Sequence, residues 1–126
     1  AVGYFWGKPI IKYITKPEVD YALIEVSDKF NNQCPIMLDS QISIDSTRAL
    51  PENVFQYNAT LINIEKSQID TQELKNQVES KIINITKTNP TFKGFQEYQT
   101  TIKYKFNDKI GEFLFTIILT PNIYNR

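Results

Sequence analysis

Two stretches of the chain carry apolar residues at helical spacing, and each follows an explicit start signal. In TKPEVDYALIEVSDKFNN, Thr15 and Glu18 stand at capping-box distance. Pro17 occupies the first turn, where its missing N–H costs nothing, and Val19, Leu23, Val26 and Phe30 share one face. This spacing predicts a helix over residues 16–32. In IDTQELKNQVESKIINITKTNP, Asp70 is the N-cap, Glu73 sits at N3, and Ile69 with Leu74 has the spacing of a hydrophobic staple. Leu74, Val78, Ile82 and Ile85 form the buried stripe of this second helix, which Lys87 and Asn89-Pro90 terminate.

Elsewhere the period drops to two. Ile36, Leu38, Ile42 and Ile44 alternate with polar residues, predicting a strand with one wet face. VFQYNATLINI places Phe55, Tyr57, Ala59 and Leu61 on one side, and Tyr98, Thr100, Ile102, Tyr104 and Phe106 alternate with Gln99, Thr101, Lys103 and Lys105. NDKIG then turns the chain, with Gly111 able to supply a positive φ, into EFLFTIILT. That last segment is apolar on both faces, so it is expected centrally in the sheet with each face covered.

The order αββαββ predicts an α+β domain of two layers: a four-stranded, mainly antiparallel sheet with both helices on one face. Phe55, Tyr57 and Leu61 recur as Phe113, Phe115 and Leu119 at a constant offset of 58, which is either a trace of duplication or the common pattern of strands that pack against helices. Residues 15–126 form this single domain, and residues 1–14 stand apart from its pattern. In AVGYFWGKPIIKYI, Tyr4, Phe5 and Trp6 precede Lys8. Aromatic residues followed by lysine mark the place where a membrane span leaves the bilayer, yet so short an apolar run cannot itself span. Two readings stand: a membrane-proximal foot, or an arm covering the far face of EFLFTIILT.

Composition narrows the chemistry. A chain of 126 residues, 41% hydrophobic, can bury a core without staples. Fourteen basic residues balance fourteen acidic ones, which argues against nucleic acid as a partner. Histidine is absent, so Ser–His and Cys–His catalysis is excluded, and with one cysteine there is no zinc ligand set. Cys34 follows the predicted helix C-terminus, where thiolate is disfavoured, and is expected to be a small buried residue. Asp39 and Asp45 are too far apart along one strand to act as a pair, roughly 20 Å by strand rise. Lys103 and Lys105 form a small cationic patch or a solubilising pair. Asn58 and Asn84 begin sequons that an asparagine-rich chain produces by chance. No phosphate loop, nucleophile elbow or dinucleotide fingerprint is present, and no cofactor is expected.

Cys34-Pro35, Asp45, ALP, QYNATL, TNP, IKYKFNDKIGEFLF and TPNIY resemble, over residues 19–124, small uncharacterised bacterial domains that follow one N-terminal membrane segment or signal. The resemblance implies a domain on the extracytoplasmic side of a bacterial membrane, with a cystatin-like or NTF2-like curved sheet; a cytoplasmic setting stays open. The expected function is a non-enzymatic interaction module that binds a protein partner or joins an envelope assembly, with membrane proximity through the N-terminus. The alternative is a small-ligand carrier or enzyme of NTF2-like shape. Tyr4, Phe5 and Trp6 are the candidate contacts at the N-terminus, and Tyr57, Tyr98 and Tyr104, with Phe106 beside them, are those of an aromatic pocket.

Overall fold

A computed structural model describes residues 19–125. The elements run α1 (Tyr21–Asn31), β1 (Ile36–Met37), β2 (Ile42–Leu50), β3 (Val54–Leu61), α2 (Thr71–Thr88), α3 (Lys93–Tyr98), β4 (Thr101–Asn107), β5 (Phe113–Leu119) and α4 (Pro121–Tyr124). The five strands lie in sequence order in one sheet, which is antiparallel except for the parallel pair β3–β4. A parallel pair needs a crossover, and α2 with α3 supplies it. The helices cover one face: α1 packs along β2, α2 packs along β5, and Phe92 and Phe95 cover the aromatic centre between them. The architecture is α+β, as the periodicity predicts, with five strands and four α-helices among the described residues where four strands and two helices were expected.

The second helix follows its signals closely. The Asp70 carboxylate accepts the N–H groups of Gln72 and Glu73, Val78 and Ile82 are buried, Leu74 and Ile85 pack against the core, and Asn89 ends the helix. The first helix begins later than expected. Its N-cap is Asp20, whose side chain accepts the Ala22 N–H, while Val19 lies in an extended bridge to Pro51. An aspartate bonded to the first-turn amides fixes that start, so the TKPE signal does not.

The first predicted strand divides into β1 and β2. Asp39 folds the chain between them by accepting the N–H groups of Gln41 and Ile42, an Asx turn inside an alternating pattern. The stretch predicted as a strand from Tyr98 starts three residues later. Tyr98 ends α3, Gln99 adopts a left-handed conformation at φ 57°, and Thr100 is buried.

β5 is an edge strand and not a central one. A register irregularity beside Asn107 lets consecutive Leu114 and Phe115 both bury, while Phe113 and, in regular register, Ile118 lie about half exposed on the open face; the doubly apolar pattern comes from the bulge at one end and from Ile118 at the other. The preceding turn uses Gly111 at φ 90°, as anticipated. The buried carboxylate of Asp108 accepts backbone N–H groups of Lys66, Ile110 and Glu112, tying the β4–β5 turn to the loop before α2. The reading of residues 1–14 as a foot or an arm lies outside the described residues.

Candidate functional site

Tyr57, on the buried face of β3, is the hub of the aromatic core. Its ring stacks on Tyr104 of β4 at 4.9 Å and meets Phe30, Phe55, Phe92 and Phe95 edge-on. Parallel register sets Tyr57 directly beside Tyr104, which is why two tyrosines far apart in sequence share the sheet centre. Above this floor α1 stands away from α3, and an apolar trough opens between them.

The trough has two compartments of about 290 Å³ each. One lies between Leu23, Val26 and Phe30 of α1 and Gly94, Phe95 and Tyr98 of α3. The other continues past Phe30 and Tyr57 to Ile36, Met37, Leu38, Phe92 and Tyr104. Phe30, Tyr57 and Thr91 border both. The first compartment is lined almost wholly by hydrocarbon and aromatic groups, whereas Gln33, Asn89 and Thr91 add polar groups to the second.

Local chemistry explains how the walls are held. The Asp20 carboxylate accepts a short hydrogen bond from the Tyr98 hydroxyl, clamping the start of α1 to the end of α3. That bond, with the Ala22 N–H, lowers the Asp20 pKa, and it raises that of Tyr98. Asn53, at φ 60° in the left-handed region that asparagine tolerates, donates to the carbonyls of Tyr98 and Gln99 and accepts from the Thr100 hydroxyl. At the other end of α1, the Asn31 side-chain amide accepts the Thr47 N–H at 2.7 Å and donates to the Thr47 carbonyl at 3.1 Å. It thereby completes the edge of β2 beyond the short β1, and the Thr47 hydroxyl pairs with Ser27 at 2.8 Å. Polar contacts therefore anchor α1 and leave much of its apolar side uncovered: Val26 is 40% and Tyr21 75% exposed.

The titratable groups on the floor of the trough are held in their neutral forms. Burial, with Tyr104 and Cys34 nearby, holds the Tyr57 pKa well above its ordinary value, and burial raises Tyr104 as well, so both phenols stay neutral. The Tyr104 hydroxyl is buried without a hydrogen-bond partner of ordinary length. Cys34 is half-buried against the core, its thiol pushed up by burial and by the charge of Asp45. No group of metal-ligating side chains occurs among the described residues, and none of their helices is long and apolar enough to cross a membrane.

The structure thus places Tyr57 with Tyr98 in one compartment and with Tyr104 in the other, while Phe106 is fully buried and lines neither. Tyr98 reaches the trough from a helix, not from the strand predicted for it. Tyr4, Phe5 and Trp6 lie outside the described residues. The walls themselves were missed, above all Val26, Gly94 and Phe95. The spacing of Phe92, Phe95 and Tyr98 is helical and was available, but the alternation that follows it masked so short a segment.

Three solved structures share the fold. A protein of Pseudomonas aeruginosa assigned as secreted superposes with a TM-score of 0.65 at 12% identity, covering 82% of this chain and 89% of its own. The type II secretion pilotin of Vibrio vulnificus gives 0.59 at 13% identity, with 82% and 88% covered. The corresponding pilotin of Vibrio cholerae gives 0.63 at 8% identity, with 80% and 87% covered. No curated protein matches in sequence. Residues 19–115 match the model of a family described as a domain of unknown function, DUF8479, and the chain belongs to that family.

Proposed function

We propose that this domain is a non-catalytic interaction module of the bacterial envelope that holds an apolar segment of a protein partner in the trough between α1 and α3. The observation that carries this reading is the trough itself, a preformed apolar cleft with a rigid aromatic floor and no charged group in its lining. The likeness in fold to two secretion-system pilotins and a secreted protein supports an envelope setting and an assembly role. In this reading residues 1–14, with Tyr4, Phe5 and Trp6, serve as the membrane-proximal segment. Tyr57, Tyr98 and Tyr104 contribute contact area and no reaction chemistry, since the Tyr98 hydroxyl is committed to Asp20 and the other two are kept neutral by burial.

A photoreactive amino acid at Val26, introduced in the native host, tests this directly. The expected result is one discrete crosslinked protein, not formed from the same group at Glu79 on the far helix. Absence of a specific adduct at Val26, or the same adducts from both positions, would remove the interaction reading.

A small apolar ligand is the second reading, favoured by compartment volumes of about 290 Å³, at the lower limit of ordinary ligand cavities. The Asp20–Tyr98 clamp leaves few free polar groups in the compartment between α1 and α3, so a ligand there would have to be nearly pure hydrocarbon, while Gln33 and Asn89 could orient a polar group in the other. Native mass spectrometry of the purified protein separates the readings: a bound small molecule displaced by Gly94→Trp would favour this one.

A further inference from the structure

The sheet face turned away from the trough carries a second organised surface. Strand register aligns Arg48, Gln56, Lys103 and Ile118 in one row and Ser46, Asn58, Lys105 and Thr116 in the next. With strands about 4.8 Å apart and alternate residues about 7 Å apart, the three cations fall within roughly 12 Å of one another on the sheet. The one carboxylate in strands β2–β5 is Asp45, which accepts hydrogen bonds from Ser43 at 3.0 Å and Thr60 at 2.5 Å. Among the described residues Arg48, Lys103 and Lys105 form no ion pair, and the Lys105 ammonium lies 6.0 Å over the Phe113 ring. Phe113 and Ile118 flank the cations on β5, and both are about half exposed.

We propose that this face is a docking surface for an anionic lipid bilayer. Charge complementarity selects the occupant. A sheet face with three cations that form no ion pair among the described residues, amide and hydroxyl donors between them and apolar side chains along β5 matches phosphate headgroups above an acyl layer. Nucleic acid is the poorer match, because the chain has a net charge of zero and this face has no row of aromatic rings for bases to stack on. The trough lies on the other side of the sheet, so a domain seated in this way would present the trough away from the lipid. The inference rests on the membrane-proximal part of the proposed function, and its test is independent of the trough.

The test is co-flotation of the full chain with vesicles of phosphatidylglycerol and phosphatidylcholine, against phosphatidylcholine alone. Binding is expected only with the anionic lipid and should collapse at high salt. Each cation near an anionic surface contributes roughly fivefold, so Arg48→Gln/Lys103→Gln/Lys105→Gln should lower partitioning roughly a hundredfold with an unchanged melting temperature. Phe113→Ser/Ile118→Ser should lower it by a smaller factor, and Lys8→Gln/Lys12→Gln should leave most of it. Failure to bind anionic vesicles, equal binding to both compositions, or loss only with the Lys8/Lys12 variant would overturn the proposal. Photocrosslinking from Val26 that persists in the triple variant would show the trough reading to be intact when this one fails.

Discussion

The two long helices lie on the same sheet and are built on opposite principles. Helix α2 runs for 18 residues, buries Val78, Ile82 and Thr86, and is capped by an aspartate that accepts two backbone N–H groups. Helix α1 runs for 11 residues, buries only Leu23 and Ser27, and is held by the Ser27–Thr47–Asn31 hydrogen bonds at one end and the Asp20–Tyr98 bond at the other. A helix held by apolar burial has little apolar surface left for anything else. One held by polar contacts at its ends can keep Val26 and the flank of Phe30 open, and the trough lies beside that helix. The difference separates the helix whose apolar face is used up in the fold from the helix whose apolar face stays partly open.

The largest break in this contrast should come from Ile82→Ala. Ile82 is fully buried, and truncation removes both its transfer energy and its packing, at a cost of about 2–5 kcal/mol measured by denaturant unfolding. A cost under about 1 kcal/mol would show that α2 is not the structural helix. Next, Thr47→Val keeps the shape of the side chain but leaves the buried Ser27 hydroxyl with only the long 3.5 Å bond from the Asn31 amide and removes the donor to the Asn31 carbonyl oxygen, an expected loss of about 1–3 kcal/mol. An unaffected melt would mean that α1 is held by something other than this network.

The smallest effect is one of pH. The folded pKa of Asp20 is depressed, first by the Tyr98 hydroxyl and then by the Ala22 N–H, so Asp20 contributes stability that is present above its unfolded value and lost as pH falls through the depressed one. The difference in melting temperature between the natural protein and Asp20→Asn should therefore be greatest near neutrality and shrink as the pH falls below the ordinary aspartate value of about 4. A difference that grew on acidification would reverse the sign assigned to the clamp.

Legibility in the sequence follows the same division. Helix α2 could be read almost residue by residue because cap, staple, stripe and stop are local signals in one window, and all of them describe burial. The aromatic floor was legible for a similar reason, since Tyr57 and Tyr104 alternate with polar neighbours. The start of α1 was misplaced because Thr15-Lys16-Pro17-Glu18 and Asp20 both carry capping chemistry, and the bond from Tyr98 that favours Asp20 comes from 78 positions away. The trough walls were hidden because Gly94 and Val26 matter through what they leave uncovered, which no local pattern records. The edge position of β5 was hidden by its bulge, since consecutive apolar residues read as two buried faces when one of them is half exposed.

Gly94→Trp separates fold from function in one variant. A Cβ at Gly94 meets no atom within 4 Å, so the new side chain can enter the trough without displacing the fold. The measurement is the yield of the Val26 photocrosslink in this variant, read beside its thermal melt. With the trough as the partner site, the protein should melt within a few degrees of the natural chain while the adduct is lost. A folded Gly94→Trp protein that crosslinks at full yield would contradict it.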